Sequence, residues 1–356
     1  MDGTELILKE LSEATGLPGF EREVRDVIRR HCEAYASIEY DRLGSIICRK
    51  EGTARAPRVM LAGHMDEVGF ITTFVTEKGL LRFQALGGWF DQVLLAQRVI
   101  VKTGRGDIPG IIGAKPPHLM IEEDRKKVVQ IKDMFIDIGA SSGEEAENLG
   151  VRPGDPIVPD SKFAVMANGK VLMGKAWDNR VGCALFMEVI RRLSSLQHPN
   201  TVYGVGTVQE EVGLRGATTS AHVVDPDVGF ALEVDVSGGT PGIEEHEAPS
   251  RLGKGPAVSV YDGSMVPNAR LRDMVFSVAK EASIPIQASY MARGGTDAGK
   301  IHLNKSGVPS LVIGVPSRYI HSHVGIINRD DFEAAAALVT AVVTRLDAAT
   351  VADLTA

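Results

Sequence analysis

Between residues 72 and 164 the texture of the chain changes. Short β-type runs (LLRFQAL, QRVIVKT, PGIIGAK, MFIDIGA, DPIVPDS) alternate with Gly/Pro turns, and helical periodicity is scarce. Six of the 17 prolines fall between Pro109 and Pro159, which suits a compact β module and not a succession of βαβ units. On either side, helix-period and strand-period segments alternate. The chain therefore reads as one α/β domain, residues 1–71 and 165–356, split by an inserted β-rich, barrel-like domain at 72–164.

The flanks support that division. Residues 4–14 and 20–35 carry apolar positions at helical spacing around the break LPG, and SIICRK and PRVMLAGHMDEVGF then read as strands. Beyond Trp177 come a helix (NRVGCALFMEVIRRLSSL), a strand (TVYGVGTVQ), a short helix (GATTSAHVV), a strand (VGFALEVDV), a helix (NARLRDMVFSVAKEA), a strand (PSLVIGV) and a closing helix (RDDFEAAAALVTAVVTRL). This alternation predicts a three-layer α/β/α domain. At 356 residues and 44% hydrophobic content the chain can bury the large core such a domain needs.

Charge narrows the partners. A net charge of −7, without Lys/Arg clusters, argues against nucleic-acid and anionic-membrane surfaces. The longest apolar stretch, AAAALVTAVVT, is far short of the roughly 20 residues a membrane span needs. The opening MDGTELILKELSEATG has helical patterning in place of a secretion signal, and Cys32, Cys48 and Cys183 lack metal-type spacing. Buried thiols in the cytoplasm are the expectation.

Acidic residues and histidines gather where strands end, the place at which open α/β sheets collect function. GHMDE follows PRVMLA, QEE follows TVYGVGTV, EVD ends VGFAL, YIHSH follows PSLVIGV, and Asp178 in KAWDNRVG precedes a helix. Histidines with carboxylates and no cysteine form a donor mix suited to Zn, Co or Mn. His64 and Asp66 share a face of an extended segment, which fits a ligand and an orienting carboxylate, or merely a surface pair. Asp178 is equally placed to be a helix N-cap. Glu210 and Glu211, adjacent in extended chain, point in opposite directions. A metal hydrolase needs one carboxylate on a metal and another free to take a proton. Glu233 competes with Asp235, and His323 with His321. A glycosidase is disfavoured, because its two acids must face each other across a sugar.

In their order, GHMDEVGF, KAWDNRVGCA, TVQEEVGLRGA, EVDV, RGGTDAG and PSRYIHS resemble the dinuclear-metal aminopeptidases of metallopeptidase family 42, which include tetrahedral and glutamyl aminopeptidases. The resemblance spans almost the whole chain. It implies two divalent metal ions (Zn, Co or Mn): His64, Asp178 and Asp235 would hold one, and Asp178, Glu211 and His321 the other. Asp178 would bridge, Glu210 would be the general base and Asp66 would orient His64. The resemblance favours Asp235 over Glu233 and His321 over His323, and implies a cis peptide after Asp178. Asp262, Gly295, Thr296 and Asp297, in the turns YDGS and RGGTDAG, would lie near the substrate. The β module would be a dimerisation domain, with dimers assembling into a dodecamer. The implied substrates are peptides with a free N-terminus. His323 stands where relatives commonly carry proline. Rival expectations are a metal-dependent N-acyl amino acid amidase or deacylase, and a metal-stabilised scaffold without catalysis.

Overall fold

Two amphipathic helices open the chain, α1 (Gly3–Glu13) and α2 (Arg22–Cys32), in a computed structural model that describes residues 1–356. Asp2 and Glu5 form a reciprocal capping box at the start of α1. In α2, Val24, Val27, Ile28 and Cys32 make the buried stripe that the 3.6-residue period requires. Strands β1 (Ser37–Tyr40), β2 (Ile46–Glu51) and β3 (Arg58–His64) follow. Along β3, Val59 and Leu61 enter one hydrophobic core while Met60 and Ala62 enter another. A strand with apolar residues on both faces must be covered on both.

The chain then leaves for the inserted domain. Strands β4 (Gly69–Val75), β5 (Leu81–Leu86), β6 (Arg98–Thr103), β7 (Gly106–Gly113), β8 (Phe135–Asp137) and β9 (Pro156–Pro159) close a barrel in the order β4-β5-β8-β7-β6-β9. Two short helices, α3 (Glu122–Arg125) and α4 (Gly143–Asn148), lie in its connections. Phe70, Leu81, Val99, Val101, Ile112, Ile136 and Ile157 fill a core separate from that of the large sheet. The barrel strands run from Gly69 to Pro159, against an expected insert of 72–164. The segment β10 (Ala164–Val165) already pairs with β11 (Val171–Gly174) in the other sheet.

From there the chain alternates. Helix α5 (Trp177–Leu193) leads to β12 (Thr201–Thr207), and α6 (Arg215–Val224) to β13 (Val228–Val236). Strand β14 (Ala257–Asp262), α7 (Ala269–Glu281), β15 (Gln287–Met291) and α8 (Ala298–Ile301) come next. Strands β16 (Ser310–Arg318) and β17 (Gly325–Asn328) and helices α9 (Arg329–Val343) and α10 (Ala348–Asp353) finish the domain. The 11-stranded sheet runs β1-β2-β12-β3-β13-β16-β17-β11-β10, with β14 and β15 beside β16. Residues of α1, α2, α5, α7 and α9 build the larger core on one face, and residues of α6 and α8 the smaller one on the other. No helix is long and apolar enough to cross a membrane.

At the centre β12, β3, β13 and β16 are parallel neighbours, so their carboxyl ends open side by side. Helix α5 lies across them at backbone contact. A Cβ on Gly63 of β3 would stand 2.5 Å from the Gly182 carbonyl carbon, and one on Gly182 would stand 2.0 Å from the Leu232 oxygen. Only glycine permits that approach, and it sets the start of α5 directly above the strand ends.

Candidate metal centre

His64 is the last residue of β3, in register with Thr207, the last residue of β12. Its Nδ1 bonds the backbone oxygen of Asp66 at 2.9 Å, which turns Nε2 toward the open ends of the strands. There Nε2 meets Asp178 Oδ1 at 3.0 Å, Glu210 Oε2 at 3.8 Å and Glu233 Oε2 at 4.0 Å. The second oxygen of Asp178 faces His321 Nε2 at 3.4 Å, and Glu211 Oε2 approaches the same nitrogen at 3.5 Å. Asp178 thus stands between the two histidines, one oxygen toward each. Two donor sets, His64–Glu210–Glu233 and His64–Asp178–Glu211, each gather their ligand atoms within 4.8 Å.

Local structure explains why Asp178 is available. The Asp178–Asn179 peptide is cis, and both residues have non-helical backbone angles at the head of α5. The capping role open to Asp178 falls to its neighbour: Asn179 Oδ1 accepts the Gly182 N–H at 3.0 Å, and its amide donates to Leu232 O at 2.8 Å. Beneath the site, Glu67 accepts from Lys175 at 2.5 Å and from Arg180 at 3.1 Å, all three buried. That ion pair ties the segment after β3 to the segment before α5, a link that costs dearly if one partner is removed.

The glutamate pair is held by its backbone. One oxygen of Asp66 accepts the Glu210 N–H and the other the Glu211 N–H, both at 3.0 Å. Gln209, with a left-handed φ of 55°, donates its N–H to Glu21 Oε1 at 3.1 Å. Three consecutive amides therefore point at two carboxylates from other parts of the chain, fixing the direction of both glutamate side chains. The structure corrects the role expected of Asp66: its carboxylate lies 3.7 Å from His64 Nδ1, and its backbone oxygen, not the carboxylate, bonds the imidazole.

A second correction concerns β13. Glu233, not Asp235, reaches His64. Both residues lie on one face of the strand, but Asp235 is one pleat period further out, about 6.6 Å along. Its carboxylate accepts hydroxyls from Ser250 and from Ser289, the latter at 2.6 Å. His323 is turned away from the cluster onto the Trp89 ring, at 5.2 Å, and burial lowers its pKa to about 4.

Electrostatics and unmet polar groups give the cluster its character. Burial and the neighbouring Asp178 push Glu211 up to about 8. Burial also raises Glu210 and Glu233 well above the usual carboxylate range; Asp297 and Glu233 add repulsion on Glu210, and Asp178 and Asp297 on Glu233. Burial opposes charge on His64, yet the surrounding carboxylates hold its pKa well above normal. The buried Oε1 atoms of Glu211 and Glu233 have no hydrogen-bond partner. A buried carboxylate oxygen without a donor is satisfied by a proton or a cation, and a cluster of carboxylates and imidazoles is of the type that can hold a divalent metal ion.

The cluster forms one wall of a cavity of about 820 Å³. Asp262, Gly295 and Thr296 line it, as does Asp235. Asp262 accepts from Ser264 at 2.7 Å and from Thr296 at 3.0 Å. Asp297 does not reach the cavity: it is fully buried and accepts the Thr207 hydroxyl at 2.5 Å. Reasoning from sequence missed Glu21, Asn179 and Thr207. Of these only Asn179, an Asn at the head of α5, carried a local signal, and it pointed to capping.

The family model described as M42 glutamyl aminopeptidase matches residues 44–338. The chain belongs to that family. It is a peptidase, and so a hydrolase. A relative, the putative aminopeptidase FrvX of Escherichia coli K12, is 41% identical over 96% of this chain and 95% of its own. Among solved structures, the TET aminopeptidase of the marine sediment archaeon Thaumarchaeota archaeon SCGC AB-539-E09 is 53% identical, with a TM-score of 0.97 over 99% of this chain and 98% of that one. The Pyrococcus horikoshii TET1 peptidase, described as able to assemble into a tetrahedron or a large octahedral shell, is 34% identical, with a TM-score of 0.88 over 97% of this chain and 100% of its own. The split α/β domain with its inserted barrel is thus an M42 peptidase fold.

Proposed function

We propose that this M42 peptidase removes N-terminal residues from peptides, using two divalent ions and Glu210 as the general base. The observation that carries the reading is Asp178 presenting one oxygen to His64 and the other to His321. On this reading His64 and Glu233 complete one ligand set around Asp178, and Glu211 and His321 complete the other. Divalent ions bound there (Zn, Co or Mn) supply Lewis acidity toward a scissile carbonyl and lower the pKa of water.

Glu210 is the carboxylate left over once those sets are filled. Set rigidly by the Asp66 bond to its amide, it takes a proton from the attacking water and returns it to the leaving amine. The buried acids around the site suit a free α-ammonium group on the substrate, which makes the enzyme an exopeptidase. The test is hydrolysis of aminoacyl-anilides against N-acyl amino acids by metal-stripped protein reloaded with Zn, Co or Mn. Cleavage of the free-amino substrates supports the proposal. Cleavage of the N-acyl compounds alone would replace it with a deacylase.

We also propose that the barrel mediates a homo-oligomer built from dimers, a dodecamer in its full form. Exposed Phe90, Ile111, Leu119 and Ile121 on the barrel and its long connection support this, as does the assembly described for the P. horikoshii relative. Three buried, unpaired cysteines suit a reducing compartment such as the cytoplasm.

A further inference from the structure

The cavity beside the metal cluster contains a second acidic feature that the proposed chemistry does not use. Asp235 lines it, one strand period beyond Glu233. Ser289 donates to one carboxylate oxygen and Ser250 to the other. These bonds fix the carboxylate plane without neutralising its charge, and none of the molecule's ion pairs involves Asp235. A half-buried carboxylate held by two donors and lacking a cation is preorganised for one.

The surroundings say which cation fits. Val312, Ile320 and Met291 give the cavity an apolar wall, and Glu247 adds a negative charge. The one arginine on the lining, Arg293, sits on the exposed turn after β15. We propose that Asp235 is the specificity-determining residue of the pocket for the substrate's first side chain, and that it selects a basic residue, lysine or arginine. The distance suits this assignment. With the scissile bond at the cluster, a long aliphatic stem laid along the apolar wall brings its terminal cation outward by about the 6.6 Å that separates Glu233 from Asp235. The proposal rests on the aminopeptidase reading and adds its substrate class.

The experiment measures kcat/KM of metal-reloaded wild type and Asp235→Asn on lysyl-, arginyl-, leucyl- and glutamyl-anilides. Wild type is expected to favour lysyl and arginyl over leucyl substrates by about tenfold or more, and Asp235→Asn to collapse that ratio. As a check independent of any variant, lysinamide should inhibit wild type about tenfold more tightly than norleucinamide, which lacks only the side-chain ammonium. A preference for the glutamyl substrate, equal inhibition by the two amides, or a uniform loss on all substrates in Asp235→Asn would overturn the assignment. That last result would mean that the carboxylate serves the α-amino group or the fold. Failure of every anilide with wild type would instead remove the aminopeptidase reading, and this proposal with it.

Discussion

Asp66 accepts the backbone N–H of Glu210 at 3.0 Å, so the carboxylate two residues beyond His64 positions the proposed base through its main chain. Its other oxygen does the same for Glu211. Asp66→Asn keeps the volume but offers only one acceptor oxygen and turns an amide donor toward an N–H. The expected outcome is a fall of about 10–100-fold in metal affinity and kcat, the range seen when groups that orient ligands are lost. Metal titration and steady-state kinetics check it. Unaltered values for both would remove the positioning role.

Glu233 and Asp235 separate by metal content. Glu233→Gln removes a carboxylate facing His64, and its metal affinity should fall by about 10–100-fold. Asp235→Asn, bonded only to serines, should bind metal as wild type does. Elemental analysis after dialysis against graded metal concentrations distinguishes them, and the reverse pattern would restore Asp235 as the ligand.

Removing metal should destabilise the protein in a pH-dependent way. With no cation present, burial and the Asp178 charge raise Glu211 from 4.5 to about 8, while on His321 burial is outweighed by Asp178 and Glu211, which lift it from 6.5 to about 9. A raised folded-state pKa gives stability that is complete below the unfolded value and is lost as pH rises through the folded one. The chelated protein should therefore weaken between about pH 5 and pH 9. The gap in Tm between metal-loaded and chelated protein should be wider at about pH 8.5 than at about pH 5.5. Calorimetry at the two pH values checks the sign.

Glu21 follows the same rule by itself. Burial, with the neighbouring Asp66 charge, raises it from 4.5 to about 7 while it accepts from Gly19 and Gln209. Glu21→Gln retains an acceptor and abolishes the ionisation. It should match wild type near pH 5 and exceed its stability above pH 7, by at most about 3 kcal/mol. Denaturant melts at fixed metal loading read the difference. Loss of stability confined to the higher pH would show that the ionised carboxylate is needed.

The division into an α/β domain and a β insert was legible because strand and helix periods differ and Gly/Pro turns mark the change. Only the edges moved, Gly69 and Pro159 against 72 and 164. Position at a strand end marked His64, the glutamate pair and the region of His321. Period alone could not rank Glu233 against Asp235, because residues two apart share a face, and resemblance chose the outer one. Depth along the strand relative to His64 decides between them, and depth is a property of sheet register. The Asn179 bond to Leu232 and the Glu21 bond to Gln209 were equally hidden, because each joins segments far apart in sequence.

The most direct test of the central claim combines activity and metal content in Glu210→Gln. If Glu210 is the base and not an essential ligand, the variant should retain two divalent ions per subunit and lose about 10²–10⁴-fold in kcat on aminoacyl-anilides, with KM little changed. Wild-type turnover by Glu210→Gln with both ions bound would contradict the account.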